Sequence, residues 1–93
     1  MKDINTNKPV KRKLQPIFDE YFESYYRQAV VIDYGDEIVL RSYGRKSVTI
    51  KNGRATILMC ATRGQERHVR EFLLQQGFEV VGLSRYELLE MYS

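Results

Sequence analysis

Few residues in this sequence carry the chemistry of a catalytic centre, and those few stand apart. His68 is the only histidine and Cys60 the only cysteine, too few soft ligands for a structural zinc site. Cys60 lies in the apolar run "ILMCA" and reads as a small core hydrophobe, because no basic neighbour at a defined spacing implies a thiolate. His68 falls at the border of a helical apolar face and reads as a surface or boundary residue. Asp33, Asp36 and Glu37 bring three carboxylates to one tight turn, but a turn selects Asp and Gly by itself. "YGRKS" has the residue types of a phosphate loop without its spacing. The expectation is a protein with no catalytic residue, no metal and no cofactor.

Basic residues are the richer signal. In "KSVTIKNGRAT" the Asn52-Gly53 pair marks a two-residue hairpin turn, since a type I′ turn needs positive φ at both central positions. Lys51 then faces Arg54, with Ile50 opposite Ala55, Thr49 opposite Thr56 and Val48 opposite Ile57. Like charges opposed in a ladder are destabilising by up to about 1 kcal/mol, and a phosphate between them would remove that penalty. Ser47, Thr49 and Thr56 are expected on the same face and add hydroxyl donors. Arg45 and Lys46 sit at the preceding turn. Arg63, Arg67 and Arg70 follow an i, i+4, i+7 stripe, although Glu66 and Glu71 are spaced to neutralise part of it. Lys8, Lys11, Arg12 and Lys13 end a basic N-terminal stretch.

The formal charge of +3 averages over opposed blocks. Residues 1–13 carry +4, residues 14–40 carry −5, residues 41–70 carry +7 and residues 71–93 carry −3. Such polarity steers a partner. The leading expectation is a non-enzymatic nucleic-acid-binding protein. Lys51, Arg54, Arg45 and Lys46 would contact phosphates of DNA or RNA, Arg63 and Arg67 would extend the track where they share the hairpin's face, and Lys8, Lys11, Arg12 and Lys13 would add nonspecific attraction. The competing expectation is a protein-interaction module, an adaptor or inhibitor of the kind mobile elements carry. Its segregated charges would dock an acidic protein surface or a second copy as a homodimer.

These residues need elements to position them. Ninety-three residues with 43% hydrophobic content suffice for one core. The N-terminal residues lack the apolar segment of a secretory signal, and no apolar run approaches the length of a membrane span. With a single cysteine, a cytoplasmic setting is expected. Residues 1–13 read as a flexible basic arm, and residues 14–93 as one domain. Pro16 opens an expected helix over about 16–28, whose Phe18, Tyr21, Phe22, Tyr25, Tyr26 and Ala29 repeat at helical spacing. "AVVIDY", "EIVLRSY", "KSVTIK" and "RATILMCAT" read as a four-strand meander, the last lying inside the sheet. Capping boxes at Thr62–Gln65 and Ser84–Glu87 predict a central helix over about 63–76, stopped by Gly77, and a short C-terminal helix. "FEVVGL" between them reads as a fifth strand. The class is α+β, a mostly antiparallel sheet with three helices.

Two stretches also resemble known families. "TILMCATRGQERHVREFLLQQGFEVVG" resembles the C-terminal strand–helix–strand of GNAT-type acetyltransferases, but that family's glycine-rich acetyl-CoA turn has no counterpart here. The element order ending in "GLSRYELLE" is similar to the core of restriction-endonuclease-like nucleases. Those enzymes hold Mg²⁺ with an acidic residue and an E/D-x-K pair; Asp33 and Glu37 are present, the lysine of the pair is not.

Overall fold

The computed structural model describes residues 8–93. Five strands, β1 (Val10–Lys13), β2 (Ala29–Asp33), β3 (Glu37–Ser42), β4 (Arg45–Lys51) and β5 (Arg54–Ile57), form one sheet in chain order. Every neighbouring pair is antiparallel. Two helices follow, α1 (Arg63–Gln75) and α2 (Arg85–Met91). The class is α+β. Among the described residues, no helix is long and apolar enough to cross a membrane.

Local chemistry accounts for the parts that match expectation. Asn52 (φ 54°) and Gly53 (φ 74°) supply the two positive φ values of the hairpin turn. The register pairs Lys51 with Arg54, Ile50 with Ala55, Thr49 with Thr56 and Val48 with Ile57. Thr62 and Ser84 each close a capping box, with Gln65 and Glu87 respectively. At the end of α1, Phe78 N–H donates to the Leu73 carbonyl and Gly77 N–H to Leu74, with Gly77 at φ 87°. That is a Schellman stop, and glycine suits its left-handed position. Ala29, Val31, Leu40, Val48, Ala55 and Ile57 point to one side of the sheet, where they join Val69, Phe72 and Leu73 of α1 and Leu88 of α2 in the core. Cys60 belongs to this core, and burial pushes its thiol pKa up.

The expected first helix does not form, and the described residues hold two helices rather than three. Residues 14–28 run as bends and turns. Glu71, only 1% exposed, projects from α1 and its carboxylate accepts the backbone N–H groups of Ile17, Phe18 and Asp19. Asp19 Oδ1 then accepts from Tyr21 N–H, and Ser24 Oγ from Tyr26 N–H. Side-chain acceptors of this sort compete directly with helical hydrogen bonds, and aromatic residues are weak helix formers. Tyr26 is left at φ 57°, outside helical space. Of the aromatics in the expected stripe, only Tyr25 is buried.

The fifth strand also comes from elsewhere. Residues 78–83 form no strand; the Glu79 carbonyl accepts from Tyr92 Oη, and those of Val80 and Leu83 from the Arg70 guanidinium. These contacts tie the segment to α1 and to the C-terminal residues instead of to the sheet. In place of that strand, Val10–Lys13 of the expected arm pairs with β2 as β1. Residues 1–7 of the arm lie outside the described residues. β5 stops at Ile57 and lies at the sheet edge, not inside it. Its exposed N–H at Ile57 is taken by the Tyr92 carbonyl, while Leu58 and Met59 turn back to donate to the Ser47 carbonyl.

Candidate nucleic-acid interface

Strand register decides which basic side chains meet. Partners across a ladder share a face, and alternate residues along a strand point the same way. Opposite the core, three rows cross the sheet. Lys13, Val30, Arg41 and Lys46 make the first; Lys11, Ile32, Val39, Thr49 and Thr56 the second; Glu37, Lys51 and Arg54 the third. This open face therefore gathers Lys11, Lys13, Arg41, Lys46, Lys51 and Arg54 against one carboxylate, Glu37. Ile32 and Val39 stand outside the core cluster yet are only 5% and 3% exposed. Long side chains lay their aliphatic stems along neighbouring apolar surface, and Lys11, Arg41 and Lys51 flank these two positions in the register.

Lys51 and Arg54 are opposed as the sequence implies, and both are exposed. Glu37 flanks Lys51 on its other side, so an attraction offsets part of the repulsion within the same row. Arg45 and Lys46 lie at the far end of β4, six and five residues before Lys51 with the bulge between them. Only Lys46 shares the open face. A bulge between Leu40 and Arg41 shifts the register, pairing Ser42 with Arg45 and Arg41 with Lys46, and leaves Ser47 buried and off the open face. The expected hydroxyl row is therefore Thr49 and Thr56 alone. Lys8 precedes β1 and is exposed; Arg12 alternates to the core side but is exposed at the sheet edge. Lys11, Arg12 and Lys13 line a shallow depression of about 300 Å³ with Arg27 and Val30.

Arg63 and Arg67 do not extend this track. They belong to α1, which packs on the other side of the sheet. Arg67 is engaged there, 3.1 Å from Asp19 and with its guanidinium 4.5 Å from the centre of the Phe22 ring. Arg70 and Arg85 both bind Glu66. These groups line a groove of about 500 Å³ whose charges largely satisfy one another. Burial opposes ionisation of Asp19 and Glu66, but hydrogen bonds outweigh it and hold both carboxyls below their usual range. The donors are Tyr25, the Tyr21 N–H and Arg67 for Asp19, and Arg70 and Arg85 for Glu66.

His68 is fully inside rather than at a boundary. It is 2% exposed, its Nδ1 lies 2.7 Å from Ser42 Oγ, and its ring packs against Tyr25 and Tyr43. Burial, with the Arg67 charge adding to it, lowers its pKa to about 4, so the neutral imidazole is the resident form. Ser42 is completely enclosed, so no substrate reaches its hydroxyl and the pair acts as a structural hydrogen bond.

Arg41 and Glu37 are the members of the open face that sequence reading passed over. The signal for both was the meander itself: pairing "EIVLRS" with "RKSVTIK" across Gly44 brings them into the basic rows. No family model, curated protein or solved structure matches this chain.

Proposed function

We propose that this is a non-enzymatic nucleic-acid-binding protein that lays its open sheet face on a phosphate backbone. The observation that carries the reading is the sorting of charge by strand parity: six cations and one carboxylate on the face opposite the one that packs against α1 and α2, among the described residues. Backbone-directed, sequence-independent binding follows from that chemistry, because Lys and Arg supply phosphate contacts, and Thr49 and Thr56 supply hydroxyls between them. Lys8 and Arg12 add attraction at the β1 edge. The single, buried Cys60 fits a reducing compartment, and the cytoplasm is the setting of this reading.

A second reading rests on a different surface. Ile17, Phe18, Tyr21, Phe22 and Tyr26 are exposed, Tyr21 by 87% and Tyr26 by 72%, and exposed apolar groups in one segment are characteristic of protein-binding surfaces. It would make the protein an adaptor docking a partner on its helical side.

Amide chemical-shift mapping separates the two. Titration with a short oligonucleotide is expected to move Lys11, Lys13, Arg41, Lys46, Thr49, Lys51 and Arg54 while residues 17–26 stay in place. Shifts confined to 17–26 and α1 would refute the sheet-face reading.

A further inference from the structure

Resting on that reading, the spacing of the basic rows names the form of nucleic acid. We infer that the face is built for a duplex, gripping the two backbones that border one groove, rather than for a single strand. Row one (Lys13, Arg41, Lys46) and row three (Lys51, Arg54) are separated along β3 by the four residues from Arg41 to Glu37. At the rise of an antiparallel strand that is about 13 Å. A B-form major groove is about 12 Å wide and a minor groove about 6 Å, so the rows match the lips of a wide groove. The row between them holds a single cation, Lys11, at one end and Thr49 and Thr56 at the other, whereas row three sets two cations beside Glu37.

A single strand has no comparable fit. Proteins that hold unpaired bases offer exposed aromatic rings for stacking, and no aromatic residue stands in these three rows. Ile32 and Val39, at the centre, are only 5% and 3% exposed and offer no ring. Two exposed rings stand in the turns of the sheet: Tyr34 lies with Asp33 and Asp36, whose carboxylates repel a phosphate strand, and the Tyr43 ring packs on His68 on the helical side. The aromatics of residues 17–26 lie on the helical side, among Asp19, Glu20 and Glu23.

Both DNA and RNA duplexes present a wide groove between two backbones. In RNA it is the shallow minor groove, which brings 2′-hydroxyls within reach of short side chains such as Thr49 and Thr56. In DNA the wide groove is deep, and threonines over its mouth contact no base.

The experiment is fluorescence anisotropy with labelled 20-nucleotide single-stranded DNA, the matching DNA duplex and the matching RNA duplex, each over a salt series. It uses the full chain and two variants, Lys13→Glu/Lys46→Glu for row one and Lys51→Glu/Arg54→Glu for row three. All four positions are exposed, and circular dichroism checks the fold. At least one duplex is expected to bind about tenfold or more tighter than the single strand. On that duplex each row variant should flatten the log–log salt slope by about 1.8, because each of its two cations neutralises one phosphate and accounts for about 0.9. A DNA duplex preferred over RNA assigns the deep groove. The reverse, with the RNA preference removed by Thr49→Val/Thr56→Val, assigns the shallow one. Equal or tighter binding of the single strand, or a duplex slope that responds to one row only, overturns the inference and leaves the sheet-face reading standing. No binding of any probe at low salt overturns both.

Discussion

Replacing Glu71 with alanine is expected to destabilise the protein by about 3 kcal/mol, with a fall in Tm of roughly 15 °C. Its carboxylate is the acceptor for Ile17, Phe18 and Asp19 N–H at 2.8–3.1 Å, and for Gln75 Nε2. Removing it strands several donors at once, and a buried group left without its partner loses its full hydration. Loss of the charge's own desolvation penalty recovers part of this, which keeps the expected effect below the sum of the bonds. Glu71→Gln retains one acceptor oxygen but turns an NH₂ group toward backbone donors, so it should be only partly protective. The effect is local in origin: amides of residues 17–19 should exchange with solvent far faster in Glu71→Ala, while β3 and β4 keep their protection. Thermal denaturation and hydrogen exchange read both quantities. A change below about 0.5 kcal/mol would show that Glu71 does not hold residues 14–28 in place.

Acidification is the second large effect. His68 has a folded-state pKa of about 4 against an ordinary value of 6.5. Between those values the unfolded chain binds a proton that the folded chain does not, so stability rises with pH in that window. The contribution is fully present above pH 6.5 and is lost as pH falls toward 4, in all about 3 kcal/mol. The groups facing the ring set this direction: Tyr25, Tyr43 and Ser42 exclude water, and Arg67 repels the imidazolium more than Asp19 attracts it. Asp19 and Glu66 have depressed pKa values, so their contribution is present above the ordinary carboxylate range and disappears at still lower pH. Urea denaturation at pH 7 and pH 4.5 measures the window. Ser42→Ala/His68→Leu removes both buried partners together, and its stability should lose most of the pH dependence between 4.5 and 6.5. Equal stability of the unmodified chain at the two pH values would contradict this account.

The meander was legible because its information is local. Alternation, the Asn52-Gly53 turn and two capping boxes each specify geometry within a few residues, and the hairpin register followed residue for residue. Residues 14–28 misled for the opposite reason. Their aromatic spacing is helical, but the deciding acceptor, Glu71, lies more than fifty positions along the chain. Arg70 ties residues 78–83 to α1 by a contact equally invisible in the local pattern. On the candidate face, Lys51 and Arg54 were visible from their turn. Arg41, Glu37 and the separation of Arg63 and Arg67 from that face required the full strand order. A bulge also moved Ser47 inward, which strict alternation does not anticipate. β1 was hidden by its composition: Lys11, Arg12 and Lys13 read as a solvated arm, although basic residues are common on exposed edge strands.

The most direct test of the central claim compares charge reversal on the two sides of the sheet. Nucleic-acid affinity would be measured for the unmodified chain, for Lys46→Glu/Lys51→Glu/Arg54→Glu on the open face, and for Arg63→Glu on α1. Binding near physiological salt is expected to fall by about a hundredfold or more for the open-face variant and to change by less than about threefold for Arg63→Glu. Equal losses from the two sides, or an open-face variant that binds as the unmodified chain does, would contradict the assignment of the sheet face as the binding surface.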